Sequence, residues 1–112
     1  MELTGKTLKD FWIWYLLPEQ RKTYKTSSLR GVDNVAKIRF LAMSFTERYG
    51  VYVDFFDSVG VYCSLSTMDG TDFWYDFSDG NEITEDSDVI ITRQEARASA
   101  IEKANEIYNL NQ

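Results

Sequence analysis

Hydrophobic and polar positions alternate most regularly between Val61 and Ser78, in VYCSLSTMDGTDFWYDFS. Val61, Cys63 and Leu65 fall on one side of the first run. Phe73, Tyr75 and Phe77 fall on one side of the second. Period-two alternation rich in β-branched and aromatic residues marks half-buried strands, and Asp69-Gly70 between two such runs marks a hairpin. A two-residue loop at Asp69-Gly70 sets Leu65 opposite Trp74 and mixes the faces. A three-residue loop, Met68-Asp69-Gly70, sets Leu65 opposite Phe73, Cys63 opposite Tyr75 and Val61 opposite Phe77, with one continuous apolar face. The pattern therefore predicts that register, with Gly70 at positive φ.

Helical spacing dominates elsewhere. In residues 4–17, Leu8, Phe11, Trp12 and Tyr15 form one stripe, while Ile13, Trp14 and Leu17 lie on another side. Thr4 or Thr7 can cap this helix, with Asp10 in capping-box spacing after Thr7, and Pro18 ends it. A turn that is apolar all round is either deeply buried or a contact surface, so Trp14 is a candidate for partner docking or self-association. Residues 18–43 predict a basic linker, a loop followed by irregular or weakly helical structure with Val35, Ile38 and Leu41 as a short stripe.

Residues 44–58 carry an S-x-x-E capping box, Ser44 with Glu47, and apolar residues at Phe45, Tyr49, Tyr52, Val53 and Phe56. An alternation of Val51, Val53 and Phe55 competes, but the cap and the length favour a helix ended by Gly60. Thr92 and Glu95 form a second box before Ala96, Ala100, Ile101, Ala104, Ile107 and Tyr108, a clear helical stripe. Between hairpin and last helix, Asp79 to Asp88 reads as an exposed turn and acidic loop that can hold a short extended piece at Ile83, and Asp88 to Ile91 as a third strand. The predicted fold is α+β: a single two-layer domain over 1–112, order α-α-β-β-β-α, with a three-stranded antiparallel sheet packed against helices. Its core is expected in 44–108, with helix 4–17 and linker 18–43 as an extension.

Charge adds a second pattern. The chain's net charge is −6, but residues 1–43 carry eight Lys/Arg against four Asp/Glu, whereas residues 44–92 carry one basic and eleven acidic residues. Either the basic part lies near the acidic sheet or the two surfaces meet different partners. There is no His, and the one Cys is Cys63. Cys63 has no imidazole base and falls on the inward strand face, which predicts an inert thiol. The usual transition-metal sites are excluded by the same composition. The acids between Asp79 and Asp88 lack EF-hand spacing, and Gly5-Lys6-Thr7 lacks the earlier Gly and the strand of a phosphate loop. No cofactor is implied. No signal sequence or apolar run long enough to span a bilayer is visible, which predicts a cytoplasmic protein with no membrane partner.

Two resemblances bear on function. The predicted order from Ser44 to Tyr108 resembles a double-stranded-RNA-binding domain, and Thr92-Arg93-Gln94-Glu95-Ala96-Arg97 is similar to the basic start of that family's last helix. The resemblance implies phosphate contacts through Arg93 and Arg97, which the acidic sheet opposes. The pieces ELTGKTLKDF, GVYVDFFDSVG and TRQEARASAIEKANEIYN resemble segments of small uncharacterised proteins of gut bacteriophages, over about half of the chain. This implies a phage accessory protein acting in a bacterial host cytoplasm, with no catalytic residue to carry over.

The sequence thus predicts a non-enzymatic protein-binding module, an acidic inhibitor of a host system being one form of it, with an unknown host or phage protein as partner. Candidate partner-binding residues are Trp14, Asp79, Glu82, Glu85, Asp86 and Asp88. The alternative is a nucleic-acid-binding module using Arg21, Lys22, Lys25, Arg30, Lys37, Arg39, Arg93 and Arg97, disfavoured by net acidity.

Overall fold

A computed structural model describes residues 2–17, 33–67, 70–78, 83–86 and 92–110, with the backbone alone at 33–35 and 83–86. Among the described residues there are four helices, not three: α1 (Gly5–Tyr15), α2 (Asp33–Ala42), α3 (Phe45–Ser58) and α4 (Arg93–Leu110). Between α3 and α4 lie β1 (Tyr62–Thr67) and β2 (Phe73–Ser78), a regular antiparallel hairpin. The predicted order α-α-β-β-β-α is therefore corrected to one with three helices ahead of a two-stranded hairpin. The third strand expected at Asp88 to Ile91 falls outside the described residues. A four-residue extended piece, β3 (Ile83–Asp86), instead follows β2, with a register break at Phe77/Ser78.

The added helix, α2, comes from the stretch predicted as irregular or weakly helical. Its buried residues are Ala36 and Phe40, one turn apart, each only 1% exposed. The expected stripe faces the other way: Ile38 and Leu41 are 66% and 53% exposed. The ring of Phe40 decides the orientation. It packs against Phe11, Trp12, Tyr15 and Tyr52 with centroid distances of 5.1–5.5 Å, and one buried aromatic outweighs two smaller aliphatic side chains on the opposite face.

α3 forms as its sequence indicates. The Glu47 N–H donates to Ser44 Oγ at 3.2 Å, and the Ser44 hydroxyl donates to the Glu47 carboxylate at 3.0 Å. At its other end the Val61 N–H reaches the Phe56 carbonyl and the Gly60 N–H reaches that of Asp57. This is a Schellman closure, and Gly60 takes the left-handed conformation it needs, φ 81°. Val51, Tyr52, Phe55 and Phe56 are buried. α4 starts with the Glu95 N–H bonded to Thr92 Oγ1 and buries Ala96, Ala100, Ile101, Ala104 and Tyr108. Its small alanines let α3 and the hairpin approach closely.

The hairpin register differs from expectation by two residues. Leu65 stands opposite Tyr75, Cys63 opposite Phe77 and Thr67 opposite Phe73. A shift of two restores every side chain to the same face, so alternation alone does not distinguish the registers. The loop spans 68–72, and Gly70 has φ 85° as predicted. Its N–H is held by Thr67 Oγ1 at 2.9 Å, a side-chain bond that replaces the tighter backbone turn.

α1 is tied to α4 at its N-terminus. The Thr7 N–H, an orphan donor of the first turn, donates to Asn109 Oδ1 at 3.0 Å. The Thr7 hydroxyl lies 2.8 Å from the same oxygen and 3.2 Å from the Asn105 carbonyl. The Thr4 N–H donates to Asn105 Oδ1, whose amide donates back to Thr4 Oγ1. Neither predicted intrahelical cap is made. Thr4 makes no side-chain bond to the helix N–H groups, Thr7 is fully buried inside the helix, and Asp10 instead accepts from Lys6 and Tyr108. Replacing Asn109 by Ala strands the Thr7 N–H, while the Thr7 hydroxyl keeps the Asn105 carbonyl, and should cost about 2 kcal/mol, measured by urea unfolding. An equal replacement at exposed Glu102 should change stability by less than about 0.5 kcal/mol.

Candidate functional site

The described residues present three surfaces on which the expected functional side chains can be placed. The first is the start of α4. Arg93 and Arg97 are one turn apart and both lie over aromatic rings. The Arg93 guanidinium is 4.9 Å from the centroid of Phe73, and that of Arg97 is 5.4 Å from Tyr49. Arg97 also donates to Thr46 Oγ1 at 3.5 Å. These guanidiniums join α4 to β2 and α3, and each stacked contact is worth about 0.5–1 kcal/mol at such half-open sites. The structure thus brings together two of the residues proposed for nucleic acid, but folds them onto the protein. Lys37 lies over the Trp12 ring at 5.4 Å, and Arg39 is exposed on α2. Arg21, Lys22, Lys25 and Arg30 lie outside the described residues.

The second surface surrounds α1 and α2. A cleft of about 170 Å³ is lined by Glu2, Leu3, Leu8, Trp12, Leu41 and Tyr52 among others. Leu8, expected inward, is 38% exposed at its rim. The ring of Trp14 is half-buried, 5.9 Å from Phe11 and 5.6 Å from Phe55. The outward residues of α1 are Ile13, 61% exposed, and Leu17. The exposed aliphatic side chains of α2 are Ile38 and Leu41, which the sequence pattern suggests as a helical stripe.

The third surface is the hairpin. Asp76, half-buried on β2, stands opposite Ser64 on one side and Asp86 on the other. Glu85 stands opposite Phe77 in register. Asp79, Glu82 and Asp88 lie outside the described residues.

The chemistry of these surfaces is quiet. Burial pushes the Cys63 thiol up to about 12, and the carboxylates of Asp76 and Asp57 add to this, which leaves almost no thiolate at neutral pH. Burial likewise raises Tyr49 to about 12, with Arg97 acting the other way. The Asp57 carboxyl is raised by partial burial and then by Asp54, the neighbouring acid one turn away. Among the described residues, no cluster of three His, Cys, Asp or Glu side chains is placed to hold a metal ion, and no helix is long and apolar enough to cross a membrane.

A scan against protein-family models, a search of the curated proteins and a search of the solved structures each found no match.

The residues that sequence reasoning overlooked are Asn105 and Asn109. Asparagine at i and i+4 inside a helix is a poor helix former that offers side-chain polar groups for other partners. That spacing, set against a Thr-x-x-Thr start, was the available signal. The exposure pattern on α1 gives a sharp contrast. Trp14→Asp should destabilise the fold by about 3 kcal/mol, because a buried ring face is replaced by a charge. Ile13→Asp should leave the melting temperature nearly unchanged. Thermal unfolding followed by circular dichroism distinguishes the two.

Proposed function

We propose that the protein is a non-enzymatic protein-binding module whose acidic part docks on a basic surface of another protein. The observation that supports this most directly is the segregation of charge. Residues 44–92 carry eleven acidic residues and one basic residue, Arg48, and the pairing of β2 with β3 sets Asp76 and Asp86 opposite one another in register. An acidic surface of this kind steers a basic partner, raising the association rate and suppressing acidic competitors. The inert thiol and the lack of His favour binding over catalysis by a nucleophile or an imidazole base. The three segments similar to gut-bacteriophage proteins extend the reading: an accessory protein acting on a host protein in a bacterial cytoplasm, inhibition being the simplest outcome of covering a basic functional surface. The nucleic-acid alternative has less support, since Arg93 and Arg97 are stacked on Phe73 and Tyr49 and stand beside an acidic sheet.

The test is capture of partners from bacterial lysate with and without nuclease. The reading expects a basic protein retained after nuclease treatment. Changing Glu82, Glu85 and Asp86 together to their amides should leave thermal stability nearly unchanged, slow the on-rate and flatten its salt dependence. Capture abolished by nuclease contradicts the reading, and an unchanged on-rate removes these acids from the interface.

A further inference from the structure

The hairpin has one edge that nothing in the described residues covers. β1 is the end strand of its sheet: Tyr62 to Thr67 pair with β2 on one side, and no described strand pairs with the other. Such an edge presents a row of backbone N–H and C=O groups, and proteins usually blunt it with a charge, a proline, a bulge or a very short strand. β1 has none of these. Its six residues, YCSLST, include no charge and no proline, and its pairing with β2 runs without a register break. The bulge in this sheet lies on the other side of β2.

The faces of β1 are equally ready for continuation. Val61, Cys63 and Leu65 are half-buried against the core on one face, while on the other Tyr62 and Ser64 are exposed and Ser66 is half-buried. α3 packs against β1, so an added strand with alternate apolar residues extends the covered face over that helix. The opposite face meets the acids. Between residues 61 and 86 the chain has seven Asp/Glu and no Lys or Arg. Asp76 stands directly behind Ser64, about 10 Å from an added strand at two strand spacings, within reach of an extended lysine or arginine.

We propose that the free edge of β1 takes an extended basic segment of a partner protein as an additional strand. The proposal rests on the acidic protein-binding reading above and specifies its mode: backbone hydrogen bonds supply the contact, and alternating basic and apolar side chains supply the selectivity. Charge chooses among occupants. A second copy brings an uncharged β1 strand with its own Asp76 behind it, and an acidic segment is repelled by Asp76. A basic strand brings positive charge toward Asp76.

The test uses the full chain and a synthetic peptide of alternating lysine and valine, about eight residues long to match a strand. Amide hydrogen exchange is followed by NMR at low and high salt. The expected result is exchange slowed by about tenfold or more at alternate amides of Tyr62 to Thr67, with binding weakened by salt and absent for the glutamate-valine counterpart. Two further peptides carry backbone N-methyl groups on one or the other alternate set of residues. Methylation of one set should abolish binding and methylation of the other should spare it, since only one set faces β1. Equal behaviour of the two sets overturns the proposal. So does protection, in the free protein, of the alternate β1 amides that face away from β2, which means that a second copy occupies the edge if the protection depends on concentration, or the chain itself if it does not. Salt-dependent binding that shifts other acidic residues but not β1 overturns the edge while leaving the acidic-surface reading in place. No binding of the lysine peptide at any salt overturns both.

Discussion

The structure depends on the burial of one ring. Phe11 is 1% exposed and stands within 6 Å of six other rings: Trp12, Trp14, Tyr15, Phe40, Tyr52 and Phe55. Those rings come from α1, α2 and α3, and Phe55 continues the cluster to Tyr108 of α4. Each such pair adds about 0.5–1.5 kcal/mol beyond the area it buries. All four helices therefore meet at a single aromatic centre, and Leu3, Phe11, Tyr15 and Phe40 contribute to it from the N-terminal part of the chain. The hairpin joins the same core from one side through Phe77, with Tyr75, Cys63 and Leu65 packed around it.

Packing alone does not set the angle of α1. An aromatic cluster is tolerant of rotation, whereas the Thr4/Thr7 bonds to Asn105 and Asn109 are directional. They satisfy first-turn donors that an isolated helix leaves open, and they do so with side chains from the far end of the sequence. The Asp10 carboxylate adds a third attachment. Lys6 and then the hydroxyl of Tyr108 hold it below the ordinary 3.8 of a carboxyl group. Burial and the same hydrogen bond raise Tyr108 to about 12. Non-local bonds of this kind close the chain's longest loop, so the ordering of α1 is inseparable from that of α4.

Much of this was legible. Ser44/Glu47, Thr92/Glu95 and Gly60 mark helix ends by chemistry that acts within a few residues, and the alanine stripe of α4 is periodic over its whole length. What was illegible has a common cause: local pattern leaves a degeneracy that tertiary contacts resolve. Period-two alternation admits registers two residues apart, and in the one observed the Gly70 N–H is bonded to Thr67 Oγ1. In α2, Ile38 and Leu41 form as good a stripe as Ala36 and Phe40 until the other rings are known. In α1, Thr7 reads as a cap until Asn109 is placed beside it. The candidate acids were visible as composition, and the structure adds the pairing that puts Asp76 opposite Asp86. The open edge of β1 was not visible, because alternation defines the faces of a strand and is silent about its neighbours.

The account makes α1 an integral wall of one cooperative core that holds the hairpin in place. Native-state hydrogen exchange as a function of denaturant tests this most directly. The amides of Phe11 and Tyr15 should exchange with the same free energy and the same denaturant dependence as those of Ile101 and Ala104, through a single global opening. Exchange of the α1 amides through a separate opening of lower energy, with α4 still protected, would contradict it.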